Sequence, residues 1–291
     1  MGNDGSMRAP WRLVLALVSY GGVSVLVRVM ASRGTTALFS AWNLRADNVW
    51  RAPRWAQFLY AWRGSLITLI VSAVLILLSQ ALRHRWPDLL VDRKAFQAKS
   101  STCSALCGAL AALVSAAVFL AVDSLRPAWP LTEPRWSFGS ITLGVIALIA
   151  TLSEELFTRA VIYEIVNQWL GHLPAALISA AVFFLLNGGY AGNGISALNV
   201  ALMGLLCCSV YEKRGLSSSV GLRWGWSFAT VFLLGFGGGE HAVYQLYSVS
   251  EAFLTGGDAG LIYGLWTTIL LLTALLLPAV GFLRGKRRAD P

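Results

Sequence analysis

The stretch Ser153-Glu154-Glu155-Leu156-Phe157-Thr158-Arg159 places three ionisable side chains directly after the apolar run 141–152. Charges inside or at the edge of a membrane helix are costly, so they mark either a functional site or a buried ion pair. Glu155 and Arg159 lie four residues apart on one helical face, and this spacing predicts that they pair. Glu154 points about a third of a turn away and stays outside that pair. Two interpretations remain open at this point: a general base with its supporting pair, or a structural ion pair beside a solvated Glu154.

The composition of the whole chain indicates a membrane protein. Of 291 residues, 56% are hydrophobic and only 13% are charged, which is unlike a soluble globular domain. Apolar runs near the ~20 residues that a bilayer requires recur along the chain. We therefore predict an all-α polytopic membrane protein with about eight transmembrane helices. The predicted spans are 11–30, 66–82, 103–122, 138–166, 174–187, 194–211, 217–236 and 261–283.

The distribution of basic residues predicts the topology. The net charge of +9 comes from Lys and Arg between apolar runs and at the C-terminus, a pattern that favours contact with anionic lipid headgroups over nucleic acid. Both termini and the basic loops 83–99 and 212–214 are predicted on the cytoplasmic face, and the acidic loop 237–260 outside. A bacterial inner membrane fits this pattern. The Arg- and Trp-rich part of 31–63 is predicted to be an interfacial amphipathic segment. In this topology its arginines lie on the external face, which conflicts with the preference of basic residues for the cytoplasmic side.

The chain divides into three predicted regions. Residues 1–137 form an N-terminal membrane region with three spans and the interfacial segment, after a disordered start at 1–10. Residues 138–283 form the region that contains the glutamate motif, and 284–291 form a basic cytoplasmic tail.

The Cys and His residues do not predict a metal site. The four Cys lie within apolar runs without a CxxC pair, so they are interpreted as small buried hydrophobes. His84, His172 and His241 lie in loops or at a helix start, and the Glu240-His241 pair is the candidate for a second site.

Two further segments follow the glutamate motif in order. Residues 179–187 read Ser179-Ala180-Ala181-Val182-Phe183-Phe184-Leu185-Leu186-Asn187, and 221–227 read Gly221-Leu222-Arg223-Trp224-Gly225-Trp226-Ser227. Together with Glu-Glu-xxx-Arg at 154–159, they resemble the CAAX-processing and bacteriocin-processing intramembrane protease family, which includes CAAX prenyl protease 2 and lysostaphin-resistance-like proteins. The family patterns are Phe-xxx-His for the second segment and Gly-Leu-His-xxx-Asn for the third. Residues 255–261 also resemble the last loop of that family.

The resemblance implies a multi-helix membrane fold whose C-terminal half holds a polar cavity open to the cytoplasmic side. It implies that the first Glu activates water, that two His and an Asn hold a metal or stabilise the oxyanion, and that the substrate is a membrane-tethered peptide, lipidated or behind a leader. The positions that match are Glu154, Glu155, Arg159, Asn187, Arg223 and Ser227.

This chain departs from the family at three of these positions. Asn187 and Arg223 stand where the family has His, and Ser227 stands where it has Asn. Asn is a poor transition-metal ligand, and the guanidinium of Arg has no lone pair to offer a cation. The family implies zinc, but its His ligands are absent, so no cofactor is expected.

The replacement of His by Arg leads to a physical hypothesis. Arg223 is predicted to face Glu154 across the cavity and to substitute for the positive charge of the metal. Opposite charges attract strongly in a low-dielectric site, so Glu154 would be held as a paired carboxylate, unable to act as a general base.

Three functions remain open from the sequence. The first is an endopeptidase that acts on membrane-tethered peptides, with Glu154 as base and Asn187, Arg223 and Ser227 orienting water or the oxyanion without metal. The second is a catalytically inactive relative that binds a lipidated peptide or a partner helix in the same cavity. The third is a transporter subunit, although the chain has no paired half-helices or internal repeat.

Overall fold

Helices make up most of the structure. A computed structural model describes residues 8–41, 63–85, 98–136, 138–187, 194–236, 242–249, 252–257 and 260–287. The α-helices of these residues are α1 (Arg8–Ala41), α2 (Arg63–Arg85), α3 (Ala98–Ala121), α4 (Phe138–Glu155), α5 (Glu164–Leu170), α6 (His172–Leu186), α7 (Gly194–Arg214), α8 (Leu216–Ser227), α9 (Ala252–Thr255) and α10 (Leu265–Arg287).

Two π-helical segments extend the helices that carry the motifs. Leu156–Tyr163 joins α4 to α5, so one helical rod runs from residue 138 to 170 and ends at Gly171, whose φ is 86°. This confirms the predicted span 138–166, which the structure extends to residue 170. A second π-helical segment, Phe228–Leu233, continues α8. Wide turns of this type are rare and occur frequently at functional sites.

Several helices are long and apolar enough to cross a bilayer. Among the described residues, three spans qualify by length and composition: Pro10–Gly34, Lys99–Ala121 and Gly194–Arg214. Shorter apolar helices cover Ile67–Leu82, His172–Leu186 and Leu265–Leu276. The predicted all-α membrane protein is thereby confirmed, and the number of eight crossings stays a prediction.

The predicted boundaries differ from the structure mainly at helix ends. Residues 31–41 continue α1 and do not begin a separate interfacial segment. The helix α2 includes residues 83–85, which were predicted to be loop, and α10 continues to Arg287 into the predicted tail. Residues 8–10, predicted disordered, are helical. Residues 1–7 and 42–62 and the Glu240-His241 pair lie outside the described residues.

One end of the helix bundle is formed by two connected loops. The strand β1 (Leu125–Pro127) pairs antiparallel with β2 (Leu246–Ser248), with Leu125 opposite Ser248. In addition, the backbone N–H of Arg135 donates to the carbonyl of Val243 at 3.0 Å. We call residues 122–136 together with 234–236, 242–249 and 260–264 the loop end.

The opposite end of the bundle collects the other helix termini. The hydroxyls of Ser100 and Ser218 lie 2.7 Å apart and join the starts of α3 and α8. Tyr163 donates to Glu212 at 2.5 Å, which ties the end of the first π-helical segment to the end of α7. We call this end the basic end, since it holds Lys99, Lys213 and Arg214.

Glycines set the distance between α3 and α8. A Cβ added to Gly225 would lie 2.0 Å from the carbonyl oxygen of Ala105, and one added to Gly108 would lie 2.1 Å from that of Leu222. Gly221 is equally tight, with 2.4 Å to the carbonyl of Ser101. Backbone contact this close requires residues without a side chain, as at other small-residue interfaces between membrane helices.

Candidate functional site

The motif residues converge although they come from three separate segments. Glu154 lies near the end of α4, Asn187 directly follows α6, and Arg223 lies in α8. Arg223 Nη2 donates to Glu154 Oε2 at 2.5 Å, and Asn187 Nδ2 donates to the same oxygen at 3.1 Å. The side chain of Glu154 is 27% exposed and that of Arg223 is 12% exposed. The predicted pairing of Arg223 with Glu154 is confirmed.

The second carboxylate forms a fully buried pair. Arg159 Nε lies 3.3 Å from Glu155 Oε2, and both side chains are 0% exposed. Arg159 also donates from Nη1 to the hydroxyl of Ser179 at 2.6 Å, and that hydroxyl donates to the carbonyl of Thr158. The hydroxyl of Ser219 donates to Glu155 Oε2. The predicted Glu155–Arg159 pair is therefore confirmed, and α6 and α8 supply the side chains that support it.

Arg223 also links the two carboxylates. Its Nη1 lies 3.8 Å from Glu155 Oε1, and among the described residues neither of these two buried atoms has a hydrogen-bond partner. The guanidinium of Arg223 stacks over the ring of Phe183 at 4.6 Å, an additional favourable contact for a buried cation. Two guanidinium groups thus balance two carboxylates, which lowers the cost of placing four charges in a membrane helix bundle.

These side chains form the polar floor of a cavity of about 540 Å³. Its polar lining includes Glu154, Asn187, Arg223 and Ser227, so the structure places Ser227 on the same wall one turn beyond Arg223. Most of the remaining wall is apolar. It includes Ala147, Ala150, Val200, Met203, Trp226, Val231, Phe236, Leu261 and Ile262. A cavity of this size with an apolar wall and a few polar groups at one end is typical of a ligand site.

The cavity extends from this floor towards the loop end. In α4 its lining residues precede Glu154, in α8 and the following π-helical segment they follow Arg223, and its far wall is the segment 260–263. The side chain of Asn199 anchors that segment by donating to the carbonyls of Ile262 and Gly264 at 2.8 and 2.9 Å. The cytoplasmic opening of the cavity and the external position of loop 237–260 stay predictions.

The side chains on the floor do not fit a zinc ion. Zinc in proteins takes Cys, His or carboxylate ligands. Among the described residues, no group of three or more His, Cys, Asp or Glu side chains is close enough to hold a metal. At the floor, a guanidinium and an amide contact Glu154 Oε2.

The comparison with known families supports the resemblance that the motifs indicate. Residues 135–229 match the family model described as Rce1-like, type II CAAX prenyl endopeptidase Rce1-like. Over this segment the chain is similar to that family, which supports the membership that the motifs indicate. Every motif position lies inside the matched segment, whereas the loop at 255–261 lies outside it. No curated protein and no solved structure gives a significant match to the chain.

Some supporting residues of this Rce1-like site were not predicted as site residues. Ser219 is separated from Glu155 by 64 positions, so no local spacing connects them. The run Ser217-Ser218-Ser219 at the start of α8 was a usable signal, since buried hydroxyls need partners. Phe183 was quoted only as part of the motif, and its contact with Arg223 depends on how α6 and α8 pack.

Proposed function

We propose that this Rce1-like membrane protein binds a membrane-tethered peptide in its cavity and does not hydrolyse it. The single observation that carries the proposal is the direct contact of Arg223 and Asn187 with Glu154. The proposal includes a bacterial inner membrane with both termini in the cytoplasm, which the basic loops support.

The dimensions of the cavity support binding of a peptide with an apolar attachment. Its apolar wall leads to a floor of balanced charges and an amide, so one end suits a lipid chain or apolar side chains and the other suits peptide groups. Burial of apolar surface supplies the affinity, and the polar floor fixes orientation.

The contacts at the floor argue against hydrolysis. A general base must lie within hydrogen-bond reach of the water that it deprotonates, with a free lone pair aimed at it. Glu154 Oε2 already accepts from Arg223 and Asn187, and direct contacts of 2.5 and 3.1 Å leave no space for water between these side chains.

An endopeptidase remains the second candidate, because Glu154 still lines the cavity and keeps 27% of its side chain exposed. In that case its other oxygen would activate water and Arg223 would stabilise the oxyanion, a role that a fixed cation can fill.

A defined peptide distinguishes the two candidates. The probe is a fluorescent peptide that carries one farnesyl chain near its C-terminus, with the same peptide lacking the chain as control. Binding to the purified protein in nanodiscs is measured by anisotropy, and products are measured by mass spectrometry. We expect the protein to bind the farnesylated peptide more tightly than the peptide without the farnesyl chain, and we expect no cleavage product of either peptide.

Two matched variants test whether the cavity is the binding site. Ala150→Trp fills the cavity wall, whereas Leu148→Trp places the same side chain on the exposed side of the same helix. We expect loss of binding only for Ala150→Trp. Equal binding by both variants contradicts the proposed site, and a product formed by the natural chain but not by Glu154→Gln establishes the endopeptidase.

A further inference from the structure

A short 3₁₀-helical turn closes the end of the cavity that lies opposite the charged floor. The turn is Leu261–Tyr263, and all of its residues line the cavity. Leu261 is 2% exposed, and Ile262 packs against the same apolar cluster, so apolar side chains close this end. We call residues 260–263 the end wall.

Buried side chains of α7 and α10 hold the end wall in place. The amide nitrogen of Asn199 donates to two carbonyls of this part of the chain, and its amide oxygen accepts from the hydroxyl of Thr268 at 2.7 Å. The hydroxyl of Thr267 donates to the carbonyl of Leu261. Asn199 and Thr267 are fully buried, so water does not compete for these hydrogen bonds.

A second layer of backbone lies directly behind the end wall. A Cβ added to Gly264 would lie 2.2 Å from the carbonyl oxygen of Leu254, and one added to Gly256 would lie 2.0 Å from that of Gly260. Gly256 and Gly260 have φ angles of 85° and 111°, which favour glycine. Because the two layers are already in contact, the end wall cannot recede to make the cavity longer.

The helices that line the cavity give its depth. In α4 the lining residues run from Glu154 at the floor back to Ala147, which is roughly 10 Å at 1.5 Å per residue. In α8 and the π-helical segment after it they run from Arg223 to Val231, which is roughly 12 Å. The cavity is therefore short compared with the apolar core of a bilayer, which is about 30 Å thick.

This depth limits the length of an apolar chain that starts at the floor. An extended polypeptide advances about 3.5 Å per residue, hence about 1.2 Å per bond, and an isoprene unit with four bonds along the chain adds about 5 Å. A farnesyl chain of three units is about 15 Å long and fits with a bend, whereas geranylgeranyl reaches about 20 Å. Forcing the additional unit into a filled apolar space is unfavourable.

We propose that the end wall selects the length of the apolar chain, so that the cavity binds a peptide with a farnesyl-length chain and discriminates against a longer one. Leu261 and Ile262 are the residues that determine this specificity. The inference rests on the proposed function for the peptide and on the end wall for the limit on length.

Three forms of one peptide test the limit. The fluorescent peptide carries a geranyl, farnesyl or geranylgeranyl chain on the same cysteine, and its binding to the full-length protein in nanodiscs is measured by anisotropy. Partition into empty nanodiscs of the same lipid is subtracted. Without an end wall, each added isoprene unit would strengthen binding, since more apolar surface is buried. We expect instead that the geranylgeranyl peptide binds about tenfold more weakly than the farnesyl peptide.

Variants of the end wall are compared with a variant of the side wall. Leu261→Ala and Ile262→Ala lengthen the cavity, whereas Met203→Ala widens it one helical turn beyond Asn199 in α7. We expect either end-wall variant to bind the geranylgeranyl peptide at least as tightly as the farnesyl peptide, and Met203→Ala to keep the natural preference. If one end-wall variant gives no single peak on size exclusion, the other provides the result.

Two results would overturn the proposal. One is a natural chain that binds the geranylgeranyl peptide as tightly as the farnesyl peptide. The other is a preference that Met203→Ala removes as fully as the end-wall variants do, because the length limit would then not belong to the end wall.

Free prenyl alcohols separate this inference from the proposed function. Geraniol, farnesol and geranylgeraniol carry no peptide, and the stabilisation that each gives is measured by a thermal scan of the natural chain and of Ile262→Ala. A maximum at farnesol that moves to geranylgeraniol in Ile262→Ala supports the length limit even where no peptide binds. Peptide binding that strengthens with every isoprene unit keeps the proposed function and refutes the length limit. Neither peptide binding nor stabilisation by any of the alcohols would refute both.

Discussion

Replacing Arg223 by Met is expected to destabilise the protein through Glu154. The substitution removes the cation that lies 2.5 Å from Glu154 Oε2 and 3.8 Å from Glu155 Oε1, but keeps an unbranched side chain over Phe183. The Glu155 carboxylate keeps Arg159, so the main loss falls on Glu154.

The expected size follows from the burial of the pair. Breaking a buried ion pair by removing one partner costs about 3–5 kcal/mol, because an uncompensated charge remains. Glu154 is 27% exposed and lines a cavity that water can enter, so the lower end, about 3 kcal/mol, applies. At about 2 °C per kcal/mol for a chain of this size, the melting temperature should fall by about 6 °C.

The assay is a thermal scan of tryptophan fluorescence in detergent, at one fixed scan rate because membrane proteins often unfold irreversibly. The matched control is Arg126→Met, which removes an Arg from an exposed ion pair whose side chains are 52% and 68% exposed. An exposed pair contributes little to stability because water screens it, so the melting temperature of this variant should stay within about 2 °C of that of the natural chain.

The double variant decides whether the effect comes from the pair. Arg223→Met with Glu154→Gln leaves no uncompensated charge, so it should be more stable than Arg223→Met alone, by more than about 1 kcal/mol. Additive losses of the two single variants would refute the assigned pairing, and so would an Arg223→Met variant as stable as the control.

Three further predictions test the rest of the site and its frame. Gly225→Ala should lower the free energy of unfolding by about 3 kcal/mol, since the new Cβ meets the carbonyl of Ala105 at 2.0 Å. The control is Gly144→Ala, whose nearest contact lies at 3.5 Å; its free energy of unfolding should stay within about 1 kcal/mol of the natural value by the same thermal scan. Ser219→Ala should cost about 1.5–3 kcal/mol because it removes a donor to the buried Glu155, and Ser218→Ala, whose partners are uncharged, should cost about 1 kcal/mol; equal losses contradict a charged acceptor at Ser219. Elemental analysis of the purified natural chain should find no stoichiometric zinc. The double variant Asn187→His with Arg223→His should bind zinc next to Glu154. Zinc bound to the natural chain and lost in Glu154→Gln would contradict the hypothesis that Arg223 substitutes for the charge of a metal ion.

The sequence predicted the existence of the helices better than the residues at which they begin and end. Long apolar runs identify membrane helices because a bilayer admits few other structures, and the run after residue 141 did so correctly. Helix ends were less accurate, since α2 continues to Arg85 through residues that are polar but still helical. Neither π-helical segment has a signal in the sequence, because a wider turn depends on tertiary packing.

The candidate site was predicted in part. The pairing of Glu155 with Arg159 follows from helical spacing, and that of Glu154 with Arg223 followed from chemistry once the family motifs aligned the segments. The contribution of Ser219 and the direction of the cavity could not be predicted. Both depend on how helices distant in sequence pack, which residue spacing within one helix does not reveal.

The glycine contacts between α3 and α8 have a consequence for how such a protein can change over evolutionary time. Gly221 and Gly225 lie four residues apart and face α3, whereas Arg223 and Ser227, also four apart, face the cavity. Mutations at 223 and 227 therefore replace the chemistry of the site and leave the contact that holds the helix in position unaltered. Substitutions on the cavity face of α8 can therefore change the chemistry of the site without changing the packing of α8 against α3.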